Sequence, residues 1–381
     1  MPPPYAGYGE SHERKLIRRP GVRIVCGVTH DIDGVTRRAF LSRAAAAVTL
    51  AGAPVHLLAQ GAPVVPPEVP TAGRPQGTDK FGASVDTVPV IDAHIHLFDG
   101  RRTQGAGYMG SAAYRAQSQT SLPAMYASLA RPSGVVGAII VESSARVEDN
   151  DWYLDVSQAD PFMVGVSGRL DPYDAQFGQN LARLQKNPLY RAIRASRFYT
   201  NTDGKVTLDA VAVTNLKLLA AADLAQDTAN PSMPLMTANV MLADAIPNLR
   251  IIMDHLPSFD PAPDGQAAYE AVVKEMAARP NIFVKLSEVY HPRQDTKQVV
   301  GDYMPLRDRL EYLYGMFGED RVIFGSDYPN SYGVATISEE VGLMKKFFST
   351  KTRAQAEKYF WRNAARVYKY VRRSPDQPSL A

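Results

Sequence analysis

The feature that most constrains this chain is a regular alternation over residues 88–381. Short apolar runs at 88–96, 135–141, 162–170, 192–198, 222–228, 249–255, 281–286 and 321–324 are separated by stretches of helical periodicity. Those stretches cover 122–129, 152–158, 175–186, 208–221, 234–245, 266–278, 304–316 and 338–348, and a last helix is expected over 353–370. Strand and helix in turn predict βαβ units around a parallel sheet. Eight such units match a (β/α)8 barrel of the TIM type, an α/β fold that typically takes about 250 residues. An open doubly wound sheet would want a glycine-rich phosphate turn after its first strand. The segment Val90-Ile91-Asp92-Ala93-His94 stands there instead.

Charge divides the chain. Residues 1–59 hold eight Lys or Arg and four acids. Taking these from the totals of 42 and 39 leaves 34 basic and 35 acidic residues, so the remainder carries a net charge of −1. That balance gives no general attraction to nucleic acid or to an anionic membrane. The one cysteine, Cys26, excludes a disulfide framework and a Cys-rich metal site. Within the leader, Thr36-Arg37-Arg38-Ala39-Phe40-Leu41 precedes an Ala-rich apolar run over 44–59. This pattern resembles a twin-arginine export signal. The run is shorter than the ~20 residues of a membrane span, so no stable anchor is expected. The resemblance implies transient contact with the twin-arginine export machinery and a periplasmic or extracellular destination. The expected organisation is therefore an export signal at 1–59, a linker rich in Pro and Gly at 60–87, and a barrel with its C-terminal helix at 88–381.

Candidate chemistry gathers at the ends of the predicted strands. His94 and His96 stand two apart on the first, and side chains of a strand alternate, so both imidazoles share one face with Asp92. At a barrel's C-terminal rim that face looks into the active-site region. Two inward imidazoles can bind a divalent metal or hydrogen-bond a polar substrate. His255 ends the sixth run, and Asp327 follows the eighth, after Gly325, whose missing side chain permits a close backbone approach. Asp327 could deprotonate a water; on spacing alone it, or Ser326, could equally cap a helix.

Together, a His-x-His on strand one, a His after strand six and an Asp after strand eight resemble the amidohydrolase superfamily. The likeness extends over Arg194-Ala195-Ser196-Arg197-Phe198, over the stretch ending Met253-Asp254-His255-Leu256, and over Phe324-Gly325-Ser326-Asp327-Tyr328-Pro329. These are most similar to the amidohydrolase-related group of lactonases and decarboxylases. The resemblance implies a hydrolase that opens a lactone or related cyclic ester of a small carboxylated or sugar-derived molecule. His255 and Asp327 would be catalytic, with His94, His96, His255 and Asp327 as ligands if a metal is bound. Many members of the superfamily also have a metal-binding His on strand five and a Lys or Glu on strand four. Here strand five has no His and strand four offers Arg, which cannot ligate a metal. The expectation is one Zn or Mn ion, with metal-free chemistry the alternative. Arg194 or Arg197 would bind a substrate carboxylate, only one of them facing inward, with Glu142, Tyr290 and Tyr328 as further substrate contacts. His291 is expected to be a surface or substrate residue. The glycine-flanked segment 105–110 is expected to form a lid. Two other functions stay open: a metal-dependent decarboxylase of an aromatic acid, and an exported barrel that binds a ligand without catalysis.

Overall fold

The computed structural model describes residues 65–293 and 296–380, and the whole proposed export signal lies outside them. All eight predicted strands form, and they pair in chain order in one parallel sheet. They are β1 (Val90–His96), β2 (Val135–Val141), β3 (Met163–Gly168), β4 (Tyr190–Arg194), β5 (Ala225–Thr228), β6 (Ile251–Met253), β7 (Ile282–Lys285) and β8 (Val322–Ile323). Backbone bonds then join the last strand to the first. Ala93 N donates to Phe324 O at 3.1 Å, Asp327 N to His94 O at 2.9 Å and His96 N to Tyr328 O at 2.7 Å. The barrel is thus nearly closed, which leaves little exposed sheet edge.

The strands read as apolar runs because both of their faces are covered. Outside them lie α1 (Pro123–Ala130), α2 (Asp149–Ala159), α3 (Phe177–Leu184), α4 (Ala210–Ala221), α5 (Met233–Ala245), α6 (Gln266–Ala277), α7 (Tyr303–Phe317) and α8 (Ile337–Phe348). Local chemistry sets their starts. The Asp209 carboxylate accepts from Val211 N and Ala212 N, and Thr336 with Glu339 forms a capping box. Among the described residues no helix is long and apolar enough to cross a membrane.

The last helical turns, Arg353–Glu357, Lys358–Arg362 and Asn363–Tyr368, pack at the N-terminal end of the barrel. There Arg250 Nε, just before β6, donates to Val367 O at 2.7 Å, and Val371 N donates to Val164 O at 2.9 Å. From this side the Tyr368 hydroxyl donates to Asp227 inside the barrel.

The segment expected as a linker differs from that expectation. Its described part, 65–87, is docked on α8. Lys345 Nζ donates to Gly77 O at 2.8 Å and to Ser133 O at 2.9 Å, and Arg74 donates to Val334 O at 2.7 Å. Gly342 makes the approach possible, since a Cβ there would collide with the backbone of Pro75 and Gln76. A strap held through backbone carbonyls has no hydrophobic period to read.

Candidate active site

The candidate residues converge at the C-terminal rim. His94 is wholly buried, and Gly325 is what admits it: a Cβ on Gly325 would lie 2.8 Å from the His94 Cβ. The two imidazoles of β1 meet with Nε2 atoms 3.2 Å apart. His96 Nδ1 lies 3.1 Å from the Val141 carbonyl, which can only accept, so Nδ1 carries the proton and Nε2 turns a lone pair to the site. Asp92 departs from the expected face. The β1–β2 register slips between Asp92 and Ile95, which breaks the alternation. The Asp92 carboxylate instead accepts from the Tyr126 hydroxyl at 2.6 Å and from Ser326 N at 3.0 Å, fastening β1 to the end of β8.

Asp327 is the centre of the cluster. Its Oδ1 lies 3.2 Å from His96 Nε2, 3.3 Å from His94 Nε2 and 3.6 Å from His255 Nε2. Oδ2 accepts from Asn330 Nδ2 at 2.7 Å, whereas Oδ1 is buried with no hydrogen-bond partner. The same Asn330 amide donates to Glu288 Oε1 at 3.2 Å, and its Oδ1 accepts from the Tyr108 hydroxyl. His255 Nδ1 is 2.8 Å from Ser287 Oγ. Burial pushes the Asp327 carboxyl up to about 6, and it also holds His96 down to about 4. His94 and His255 are kept well below the ordinary imidazole range, first by burial and then by nearby Lys285 or His94.

The backbone here is strained. His255, Glu288 and Asp327, each just past a strand, have φ of 55°, 49° and 57°. Left-handed conformations of non-glycine residues cost roughly 1–3 kcal/mol each and cluster at functional sites. In this barrel they turn side chains inward at β6, β7 and β8.

Three residues offer ligand atoms that all lie within 4.8 Å of one another: His94, His255 and Asp327. His96 Nε2 flanks them. Neutral imidazoles beside an unpartnered carboxylate oxygen make a donor set that fits one divalent cation such as Zn²⁺ or Mn²⁺. Strand five carries no His, and its Asp227, whose Oδ1 accepts from Lys285 and Tyr368, is not among the residues whose ligand atoms cluster.

Beneath the histidines lies a charged layer that the sequence reading did not single out. Lys285 Nζ, 2.9 Å from Asp254 Oδ1 and 3.2 Å from Asp227 Oδ1, is completely buried with both. Its signal was a lysine inside the apolar run Ile282-Phe283-Val284-Lys285-Leu286. Glu288, Asn330 and Tyr108 were also missed. They lie in loops, and only contacts across the fold show that they meet. Tyr108 sits edge-on to His96, with ring centroids 5.9 Å apart. It belongs to the segment expected as a lid, which Arg146 holds through Gln104 O at 2.6 Å and Gly105 O at 3.2 Å.

The substrate-contact candidates divide. Arg194 reaches the cluster, with Nε 3.7 Å from Asp254 Oδ2. Glu142 lies alongside; burial pushes its carboxyl up, against the lowering effect of Arg194. Arg197 turns out to solvent over the ring of Tyr173. Tyr290 is not a pocket wall: it is buried, with the Arg74 guanidinium 4.1 Å above its ring. Tyr328 is buried too, its hydroxyl donating to Tyr114 at 3.2 Å. Both followed strand ends, but their large rings pack into the wall behind the rim. His291 is half-buried, 3.0 Å from Asp260 and away from the cluster.

A family model described as Amidohydrolase matches residues 91–370. The L-fucono-1,5-lactonase of Burkholderia ambifaria is 28% identical over 300 residues, which are 75% of this chain and 98% of that protein. Among solved structures, an amidohydrolase of Burkholderia multivorans with bound zinc is 21% identical with a TM-score of 0.62. The match covers 74% of this chain and 99% of that one. The 5-carboxyvanillate decarboxylase of Novosphingobium aromaticivorans, complexed with manganese, is 15% identical with a TM-score of 0.55. That match covers 77% of this chain and 99% of the other. At such identities the solved structures show a shared fold.

Proposed function

Since the chain belongs to the amidohydrolase family and is a hydrolase, we propose that it opens a lactone or related cyclic ester of a small carboxylated or sugar-derived substrate. The observation that carries this reading is the state of Asp327. One carboxylate oxygen is held by Asn330, and the other is left without a donor at the centre of three imidazoles.

Asp327 Oδ1 is placed to take a proton from a water as that water attacks the ester carbonyl. The new C–O bond forms as the carbonyl becomes an oxyanion. Collapse then breaks the ring C–O bond, and Asp327 returns its proton to the leaving oxygen. Arg194 faces the substrate's carboxylate or its hydroxyls, and the Glu142 carboxylate accepts from hydroxyls. A divalent ion held by His94, His255 and Asp327 would supply Lewis-acid polarisation of the carbonyl. His96, with its proton fixed on Nδ1, presents only a lone pair and so accepts.

The decarboxylase reading loses ground on one feature: strand five, Ala225–Thr228, carries no His. Carboxylate release from a panel of sugar-derived and carboxylated lactones, beside carbon dioxide release from carboxylated aromatics, distinguishes the two. We also propose that residues 1–59 direct export through the twin-arginine route. Protein recovered outside the cytoplasm with Met1 still at its N-terminus would refute this.

A further inference from the structure

Lys285 is a buried cation in the barrel interior that the proposed chemistry leaves unused. It stands at the end of β7 and touches groups from three other strands. Nζ donates to His94 Nδ1 at 3.1 Å and to Asp227 Oδ1 at 3.2 Å, and it pairs with Asp254 Oδ1 at 2.9 Å. All four side chains are fully buried. Asp254 Oδ2, at 3.6 Å from His94 Nδ1, is too far for a hydrogen bond.

An ammonium has donors and no acceptor. His94 Nδ1 must therefore be the accepting nitrogen, which puts the ring proton on Nε2. That proton points at His96 Nε2, 3.2 Å away, while Asp327 Oδ1 at 3.3 Å lies off its line and stays without a donor. The partner of His96 Nδ1 has the opposite effect: the Val141 carbonyl leaves His96 Nε2 bare. A metal-binding histidine normally donates its far N–H to an acceptor, which frees the near nitrogen for the ion. At His94 that far partner is a donor.

We propose that Lys285 is a positioning residue that fixes the proton of His94 on Nε2, and that it thereby weakens divalent-metal binding by the His94–His255–Asp327 group. For an ion to bind through His94 Nε2, the proton must leave that nitrogen for Nδ1 and Lys285 must give up its contact there. The same arrangement gives the metal-free site an N–H that is held by the bare Nε2 of His96. The proposal does not depend on which ester the site opens, and its test uses no substrate.

The test has two parts. In the metal-free wild type, long-range ¹H–¹⁵N correlation of histidine-labelled protein reports which ring nitrogen of His94 is protonated, with His94→Gln for assignment. Protonation at Nε2 is expected, and protonation at Nδ1 overturns the proposal. Zn²⁺ affinity is then measured by chelator competition in wild type, in Lys285→Met, and in Lys285→Met/Asp227→Asn, which removes one anion with the cation and guards against a variant that fails to fold. Removing an ordinary outer partner of a metal ligand weakens binding by about 10–100-fold. Here the folded variants should instead bind Zn²⁺ at least about tenfold more tightly than wild type. Equal or weaker binding, or no binding in any of the proteins, overturns the proposal.

Discussion

The Asn330 side-chain amide donates to Asp327 Oδ2 at 2.7 Å, and this one contact decides which carboxylate oxygen faces the histidines. Asn330 also reaches Glu288 and Tyr108, so it ties the loops after β1, β7 and β8 to the reactive group. Asn330→Ala should reduce kcat by about tenfold with little change in KM, because a hydrogen bond to a charged group is worth about 1.5–3 kcal/mol. A purely structural role would not move the pH profile. Loss of a donor to the carboxylate should shift its acid limb to higher pH.

The acid limb itself follows from burial. Asp327 must be ionised to accept a proton, and its carboxyl is pushed up to about 6. Activity should therefore fall about tenfold per pH unit below 6. The stability effect of this group has the opposite sign. Its folded value lies above the ordinary one, so its stabilising contribution is complete below the ordinary carboxyl range and is lost as pH rises through about 6. A pH–rate profile beside melting temperatures at pH 5 and 7 checks both signs.

Gly325→Ala should displace His94, whose Cβ would be 2.8 Å from the new methyl. Overpacking of this kind typically costs about 1–3 kcal/mol. Activity should be lost even at temperatures where the variant stays folded. Gly301→Ala, where nothing lies within 4 Å of the added carbon, is the matched control.

Gly342→Ala should loosen the strap at 65–87, since the added methyl meets the backbone of Pro75 and Gln76. Limited proteolysis should then cut near residue 75 in the variant well before the wild type. Equal cleavage rates would show that the docking does not depend on this glycine.

The barrel was legible because every strand is covered on both faces and every helix on one, which writes two distinct periods into the sequence. The alternation placed His94, His96, His255 and Asp327 at strand ends, and the resemblance to the amidohydrolase superfamily singled them out as a set. What the alternation could not carry was depth and partnership. Tyr290 and Tyr328 occupy similar positions but are packed behind the rim. Asp92 lies beyond a register slip that reverses its face. Lys285 was visible as a charge within an apolar run, yet nothing local told that Asp227 and Asp254 surround it. Asn330 and Tyr108, 222 positions apart, meet only once the barrel closes.

The most direct test of the central claim is lactone ring opening by the purified protein, followed as acid release, in wild type and Asp327→Asn. General-base catalysis contributes about 10²–10⁴-fold. The account predicts that at least one sugar-derived or carboxylated lactone is opened, and that the variant loses turnover by that order while its melting temperature stays within a few degrees. Turnover of a true substrate by Asp327→Asn at near wild-type rate, or carbon dioxide rather than a hydroxy acid as product, would contradict it.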